Sequence, residues 1–245
     1  PPPPFVLPPP RLRPSRLQLC SIGTFPSPGL DYLIPELVEG FRLLRTSLPG
    51  AKLLLVLSQY EYRMSARLHA DISRAEGVTL MGGVTHGEAM RLYRDVCDVG
   101  IRGYRDEGRQ VLSTKVIEMS AAALPIIINP SPIHSLVFGQ KYGGYWQYAK
   151  GDPAHSFAAV AKRMLVDHDV YSRCSRRVLN AVRPYTSANV VSQLYAALPA
   201  RSCTHSTSRA LTTPVAIHCP SLHLLLGCLK VYDALRFTPA YAAKV

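Results

Sequence analysis

The sequence predicts an α/β protein built on an open, doubly wound parallel sheet with helices on both faces. Two observations support this prediction. Short, almost wholly apolar segments alternate with longer amphipathic segments along most of the chain, and this alternation is typical of strands and their covering helices. Continuous apolar strands also indicate a parallel sheet, because such a sheet is buried on both of its faces.

The chain has 245 residues, of which 47% are apolar, so it can bury a substantial core. Residues 1–16 are dominated by proline and are predicted to form a disordered or polyproline-like leader. One packed domain is predicted over residues 17–199. Residues 200–245 are rich in Ser, Thr, His and Cys and contain one carboxylate, which predicts a poorly packed or disordered tail.

The first two strand–helix units are predicted before residue 76. Residues 17–22 form a strand, and apolar side chains recur at helical spacing over residues 30–47. Residues 52–58 form a second, almost wholly apolar strand, and residues 62–75 form a basic amphipathic helix. A glycine-containing loop at residues 23–29 connects the first strand to its helix.

Two further strands follow. Residues 78–81 form the third strand, a glycine-rich turn follows, and a helix covers about residues 88–95. Residues 96–101 form the fourth strand. The apolar residues 126–128 form the fifth strand. Beyond it, the pattern predicts a short helix, a strand and three helices. These later elements are residues 133–138, 143–148, 152–166, 170–182 and 189–198.

The segment from residue 113 to residue 129 is predicted to be a capped helix, a tight turn and a buried strand. Ser113 or Thr114 caps the helix, and Pro125 ends it before the apolar strand at residues 126–128. The start of a helix favours an anion such as a diphosphate. Lys115 would neutralise phosphate charge, and the Glu118 carboxylate would accept hydrogen bonds from the two vicinal hydroxyls of a ribose.

Ligands of doubly wound sheets bind outside the carboxyl ends of the strands. Four loops are predicted to meet at this edge, and together they form a candidate nucleotide site. These loops are Gly23–Thr24, residues 82–83, the arginine-rich residues 102–109 and residues 113–115.

Short motifs follow one another along the chain in a recognisable order. They are a glycine loop, a Gly-Leu-Asp segment, a glycine–valine turn with an acidic residue, a tyrosine ahead of an acidic strand, and the Ser-Thr-Lys helix. They occupy residues 22–25, 29–31, 83–88, 93–101 and 113–125, with Tyr195 as a terminal tyrosine. Over about residues 17–198, this order resembles the C-terminal, donor-binding half of a GT-B glycosyltransferase, especially of the family 4 type.

The resemblance implies a single GT-B half-domain with a Rossmann-like fold that binds a nucleoside-diphosphate sugar. It implies that Glu118 holds the donor ribose and that neither a metal nor a cofactor is needed. The remaining donor-binding candidates are Ser113, Thr114 and Lys115 near the phosphates, Gly23 and Thr24 in the first loop, and Arg105 and Arg109 in the arginine-rich loop.

Three departures from the family pattern bear on activity. Ala123 stands where the family has glycine, and Gln110 stands where many members have an acidic residue. The basic pair that the family places after the first strand is missing, because residues 25–29 contain neither Lys nor Arg. Arg102, Arg105 or Arg109 would have to replace it.

The implied function is transfer of a glycosyl group, of the hexosyltransferase type, to an unknown acceptor. Family members bind the acceptor in a separate domain, so we expect turnover to need a further domain or subunit. A non-catalytic pseudoenzyme or partner subunit with the same fold is the alternative, and whether the chain is an enzyme stays open. An NAD-dependent oxidoreductase is disfavoured, because no segment completes the G-x-G-x-x-G fingerprint.

The net charge of +12 suits a phosphorylated ligand or peripheral contact with an anionic membrane. No nucleic-acid-binding motif accompanies it, so no nucleic acid partner is expected. The sequence contains no uninterrupted apolar run of about eighteen residues and no signal-peptide pattern, which predicts a soluble cytoplasmic protein. The six cysteines lack paired spacing, which predicts reduced thiols without a disulfide framework or a zinc site.

Overall fold

A computed structural model describes residues 8–24, 33–58, 65–103, 112–147 and 151–185. Within these ranges, five strands form one sheet: β1 (Gln18–Thr24), β2 (Lys52–Ser58), β3 (Val78–Met81), β4 (Val99–Arg102) and β5 (Ile126–Ile128). Their order is β3-β2-β1-β4-β5, and every neighbouring pair is parallel. The predicted doubly wound parallel sheet is therefore confirmed.

The described helices lie around this sheet. They are α1 (Ile34–Ser47), α2 (Ala66–Ser73), α3 (His86–Arg91), α4 (Thr114–Ala121), α5 (Pro132–Phe138), α6 (Pro153–Val166) and α7 (His168–Val182). A π-helical turn, Leu92–Val96, extends α3. Parallel strands are joined by right-handed crossovers, and the strand order reverses at β1, so α1 and α4 cover opposite faces.

Residues Val6–Val182 make up one compact unit, and the 3-10 turn Arg183–Tyr185 belongs to a second unit. Within the described ranges, no helix is both long enough and apolar enough to cross a membrane.

The sheet itself is the centre of the core. In β2, Leu53 and Leu55 are fully buried, and Leu54, between them, is 6% exposed. A strand that faces solvent would alternate buried and exposed residues, so this pattern shows that both faces are covered. Helix α6 contributes Phe157, whose ring meets the ring of Trp146 edge to face at 5.1 Å. Burial of each such large apolar side chain contributes about 1.5–3 kcal/mol.

The strand predicted at residues 143–148 is wrong. Tyr145 makes a single parallel bridge with Ile128, and the edge of β5 is closed instead by the Tyr142 side chain. Its hydroxyl accepts a hydrogen bond from the Ile126 N–H at 2.9 Å and donates to the Ile126 carbonyl at 2.8 Å. Gly144 lies so close to Ile126 that a Cβ there would meet the Ile126 carbonyl oxygen at 2.1 Å. This glycine turn therefore brings the chain against β5 without a longer ladder.

Burial raises the pKa of Tyr142 well above its ordinary value. The phenol consequently stays protonated and keeps donating its hydrogen bond to the Ile126 carbonyl.

Residues 8–16, within the predicted leader, hydrogen-bond to the chain before β4. The Asp98 carboxylate accepts from the N–H groups of Ser15, Arg16 and Gln18 and from the Ser15 hydroxyl, at 2.8–3.0 Å. Arg11 donates to the carbonyls of Tyr93, Arg94 and Cys97. A cation at the carbonyl end of a helical turn is a stabilising arrangement. The domain boundaries at residues 17 and 199 stay predictions.

Cys20 and Cys97 form a disulfide, so the prediction of reduced thiols is wrong for this pair. Cys20 lies in β1 and Cys97 two residues before β4. Because these strands are neighbours, the two Cα atoms lie 5.8 Å apart despite a sequence separation of 77 residues. The cytoplasmic location stays a prediction.

Cys174 is free and buried. Burial raises the pKa of its thiol to about 11, which makes it inert as a nucleophile at neutral pH. The remaining cysteines lie outside the described residues.

Candidate functional site

The carboxyl edge of the sheet contains a cavity of about 150 Å³. Its walls come from the end of β1, from β2, from the turn after β3 with the start of α3, and from the first turn of α4. The lining residues are Ile22, Gly23, Val56, Gly83, Val84, His86, Ala89 and Lys115. Three of the four loops that were predicted to meet at this edge thus contribute to one cavity.

Helix α4 begins at this cavity, where its first turn contributes Lys115 to the lining. Ser113 occupies the N-cap position, as predicted, but its hydroxyl makes no capping hydrogen bond. Thr114 is the first helical residue and is exposed, and the first turn contains no acidic residue. The partial positive charge of the helix start therefore remains uncompensated by these side chains.

Glu118 lies one turn into α4 and is only 12% exposed. Its Oε2 accepts a hydrogen bond from Lys115 Nζ at 2.9 Å. Its Oε1 lies 3.6 Å from Nδ1 of His86. Both partners line the cavity with Gly23, so the structure brings Gly23, Lys115 and Glu118 together, as the sequence predicted.

His86 lines the cavity and lies beside Glu118, although it is not among the site residues predicted from the sequence. Thr85 caps α3: its Oγ1 accepts from the Glu88 N–H at 3.3 Å, and Glu88 Oε2 accepts from the Thr85 N–H at 2.8 Å. The Thr85 N–H and the Thr85 hydroxyl both donate to Glu88 Oε2 at 2.8 Å, and these two hydrogen bonds lower the pKa of Glu88. The T-x-x-E pattern is readable in the sequence, and it would have placed His86 in the first turn of a helix at the sheet edge.

Arg102 ends β4 and is 7% exposed. Its guanidinium lies against Gly23, where a Cβ would meet Arg102 Nη1 at 2.4 Å. Position 23 therefore needs glycine if Arg102 is to keep this place. Only the backbone of Thr24 is described, as the last residue of β1. Arg105 and Arg109 lie outside the described residues.

His134 follows β5 at the start of α5 and is 4% exposed. Its Nδ1 is 2.9 Å from the Asn129 carbonyl oxygen, so the ring must donate from Nδ1 and leave Nε2 as an acceptor. Among the described residues, Nε2 has no hydrogen-bond partner. Burial lowers the pKa of His134 below its ordinary value of 6.5, which keeps the ring neutral.

This burial predicts a pH dependence of stability. Below about pH 6.5 the unfolded chain binds a proton on residue 134 that the folded chain binds only at lower pH. The free energy of unfolding should therefore fall as the pH drops below this value, down to the pKa of the folded state. We expect His134→Gln to have a flatter profile than the wild type in urea titrations between pH 7 and 5.5. Equal slopes for His134→Gln and the wild type would contradict the prediction.

Among the residues with described positions, no group of three or more His, Cys, Asp or Glu side chains is arranged to hold a metal ion. The buried Asp98 is not part of the candidate site, because it lies before β4, at the opposite edge of the sheet from the cavity.

Solved glycosyltransferases contain the same fold. The pneumococcal O-GlcNAc transferase GtfA, solved with UDP and GlcNAc, matches with a TM-score of 0.58 and 10% identity over 75% of this chain and 35% of GtfA. Anabaena HepE, solved with UDP and glucose, matches with a TM-score of 0.56 and 13% identity over 74% of this chain and 48% of HepE.

A third match is limited to one domain. The C-terminal domain of the glycosyl transferase group 1 family protein LpcC from Francisella tularensis has a TM-score of 0.54 and 11% identity, over 69% of this chain and 86% of that domain. The chain has the fold of the C-terminal half of a GT-B glycosyltransferase, which confirms the predicted fold. It spans about a third of the length of GtfA and about half that of HepE. No model of a known protein family matches the sequence, and neither does any curated protein.

Proposed function

We propose that this domain binds the nucleoside-diphosphate sugar that serves as donor in glycosyl transfer. The observation that carries the proposal is the position of the Glu118 carboxylate. It lies next to a cavity at the carboxyl edge of the sheet, held between Lys115 and His86, two residues that line that cavity. A carboxylate in this position can accept hydrogen bonds from two neighbouring hydroxyls of a ribose.

The surrounding groups suit the rest of the ligand. The start of α4, with Ser113, Thr114 and Lys115, offers backbone N–H groups and a cation to a diphosphate. Gly23 lines the cavity, and the Arg102 guanidinium fills the place of its missing side chain. Val56 and Val84 give the cavity apolar walls suited to a base.

In the proposed reaction, the bond between the sugar carbon and the diphosphate oxygen breaks, the oxygen of an acceptor hydroxyl forms a new bond to that carbon, and the hydroxyl proton passes to the departing diphosphate or to solvent. The departing diphosphate takes the electron pair and gains charge, which the α4 start and Lys115 would stabilise. The acceptor would be bound by a further domain or subunit.

A partner subunit without activity of its own is the second candidate. Residues 25–29 contain no basic side chain, and a structure of a GtfA/B complex matches this chain with a TM-score of 0.59 and 13% identity. If the chain is such a subunit, it should co-purify with a partner protein in a fixed ratio. It should also show no measurable affinity for nucleotides.

Isothermal titration tests the donor-binding proposal. The full chain would be titrated with UDP, GDP and ADP, and with the monophosphate and nucleoside of whichever binds. We expect saturable one-to-one binding of at least one diphosphate and weaker binding of its nucleoside, because the nucleoside lacks the charge that α4 and Lys115 would bind. No binding of any of the three diphosphates would overturn the proposal and favour the partner subunit.

A further inference from the structure

We propose that the amino edge of the sheet, opposite the cavity, is a docking face for an anionic membrane surface. Exposed cations from three separate parts of the chain lie at this edge, and together they make up what we call the basic face. Its members are Arg13, Arg16, Lys52, Arg173 and Arg176. The inference goes beyond the proposed function and does not depend on it, because the basic face and the cavity lie at opposite edges.

The first link in the basic face joins β2 to residues 8–16. Lys52 begins β2, and its N–H donates to the Leu17 carbonyl at 3.1 Å. Arg16 precedes Leu17 and is fixed at this edge by its own N–H, which donates to the buried Asp98 carboxylate at 2.8 Å. Neighbouring strands lie about 5 Å apart, so the backbones of Lys52 and Arg16 are close neighbours.

The second link joins α7 to the same N-terminal segment. The Arg11 N–H donates to Ser175 Oγ at 2.6 Å. Ser175 Oγ donates in turn to the Ala123 carbonyl at 2.9 Å, just before β5, so α7 lies at the amino edge of the sheet. Arg173 and Arg176 lie on either side of Ser175 in sequence, and both are exposed. The cations of α7 therefore extend the row that begins at β2.

Carboxylates near this edge are held by other groups. Asp98 is buried and accepts from backbone N–H groups, and the exposed Asp95 and Glu76 are paired with arginines outside the basic face. Asp167 and Asp169 lie at the start of α7, where the helix dipole stabilises a negative charge. Within the described ranges, none of the five cations forms an ion pair with a carboxylate. The basic face therefore keeps an excess of positive charge.

Two features favour a lipid surface over a nucleic acid. Leu12 lies between Arg11 and Arg13 and is 68% exposed. An apolar side chain among cations suits the boundary between lipid headgroups and acyl chains, and clusters of Lys and Arg bind anionic headgroups. In the described part of the chain, no exposed large apolar side chain is aromatic, so the basic face lacks the rings on which nucleic-acid bases stack.

Co-sedimentation of the full chain with vesicles tests the inference. The vesicles would contain phosphatidylcholine alone, or phosphatidylcholine with phosphatidylserine. We expect the wild type to bind only the vesicles with phosphatidylserine, and NaCl should release it because salt screens these charges. Reversing three charges together, as Arg13→Glu, Lys52→Glu and Arg173→Glu, should lower the partition coefficient by about tenfold or more.

The triple variant Arg67→Glu, Arg91→Glu and Lys162→Glu is the matched control. These three cations are exposed and lie on α2, α3 and α6, outside the basic face. The control changes the net charge by the same amount, so it should keep most of the binding if the basic face itself contacts the lipid. Equal losses in the two triple variants would overturn the inference, and so would a wild type that binds neither kind of vesicle.

Leu12→Trp tests the contact with lipid without any change of charge, even if the triple variant of the basic face fails to fold. Trp146, the natural tryptophan, is fully buried, so a change of emission on addition of vesicles would come from position 12. We expect a shift to shorter wavelength with phosphatidylserine vesicles, and weaker binding by Leu12→Ser than by the wild type. Binding without this shift would overturn the inference, because the basic face would not touch the lipid.

A parallel titration with duplex DNA and single-stranded RNA separates the two kinds of anionic partner. Nucleic acid binding that is lost in the triple variant of the basic face, without binding of vesicles, would overturn the inference in favour of a nucleic acid. Every one of these outcomes leaves the proposed function intact, because none of the substituted residues lines the cavity. The affinity of the triple variant for UDP should equal that of the wild type.

Discussion

Replacing Asp98 with alanine is expected to lower the free energy of unfolding by about 3–5 kcal/mol, one of the two largest effects we predict. The Asp98 carboxylate is 3% exposed and accepts four hydrogen bonds. Three of its donors are backbone N–H groups, of Ser15, Arg16 and Gln18, and alanine would leave them with no acceptor from this side chain. Urea denaturation followed by circular dichroism would measure the loss.

Asp95 provides the matched control for this prediction. It lies three residues earlier, and its side chain is 52% exposed and paired with the neighbouring Arg94. Exposed ion pairs contribute little, so Asp95→Ala should cost less than about 1 kcal/mol. Equal losses for Asp95→Ala and Asp98→Ala would show that the hydrogen bonds to residues 15–18 do not stabilise the fold.

Replacing Glu118 with alanine is expected to lower the affinity for a nucleoside diphosphate by about 100-fold or more, because two charged hydrogen bonds to ribose hydroxyls are lost. Affinity for the free nucleoside should fall by a similar factor, since the ribose is common to both ligands. Affinity for inorganic pyrophosphate should not fall, because Lys115 loses its partner at 2.9 Å and becomes available to phosphate. Titration calorimetry with the three ligands gives all of these values.

Glu39→Ala is the control for Glu118→Ala. Glu39 pairs with Arg42 one turn later on α1, at 3.1 Å, in the same spacing as Lys115 and Glu118. Its removal should leave all three affinities unchanged. If the Glu118→Ala protein binds the nucleoside as tightly as the wild type does, then Glu118 does not bind the ribose.

Much of the fold was readable from local pattern. The apolar run of residues 52–58, the helix that begins after Ser113 and the Asp152 N-cap of α6 each depend on residues close together in sequence. Strand and helix periodicity act over a few residues, and the alternation of the two predicts a parallel sheet. The order of the loops then placed Gly23, Lys115 and Glu118 at one edge.

Contacts between distant segments leave no local pattern in the sequence from which they could be predicted. The Cys20–Cys97 disulfide, the Arg102–Gly23 contact and the approach of His86 to Glu118 each join segments separated by more than thirty residues. Such pairs become neighbours only when strands and helices pack in three dimensions. The elements and their order thus follow from the sequence, because periodicity and capping are local. The partners of each side chain at the cavity follow from the packing, because sheet pairing brings remote residues to one edge.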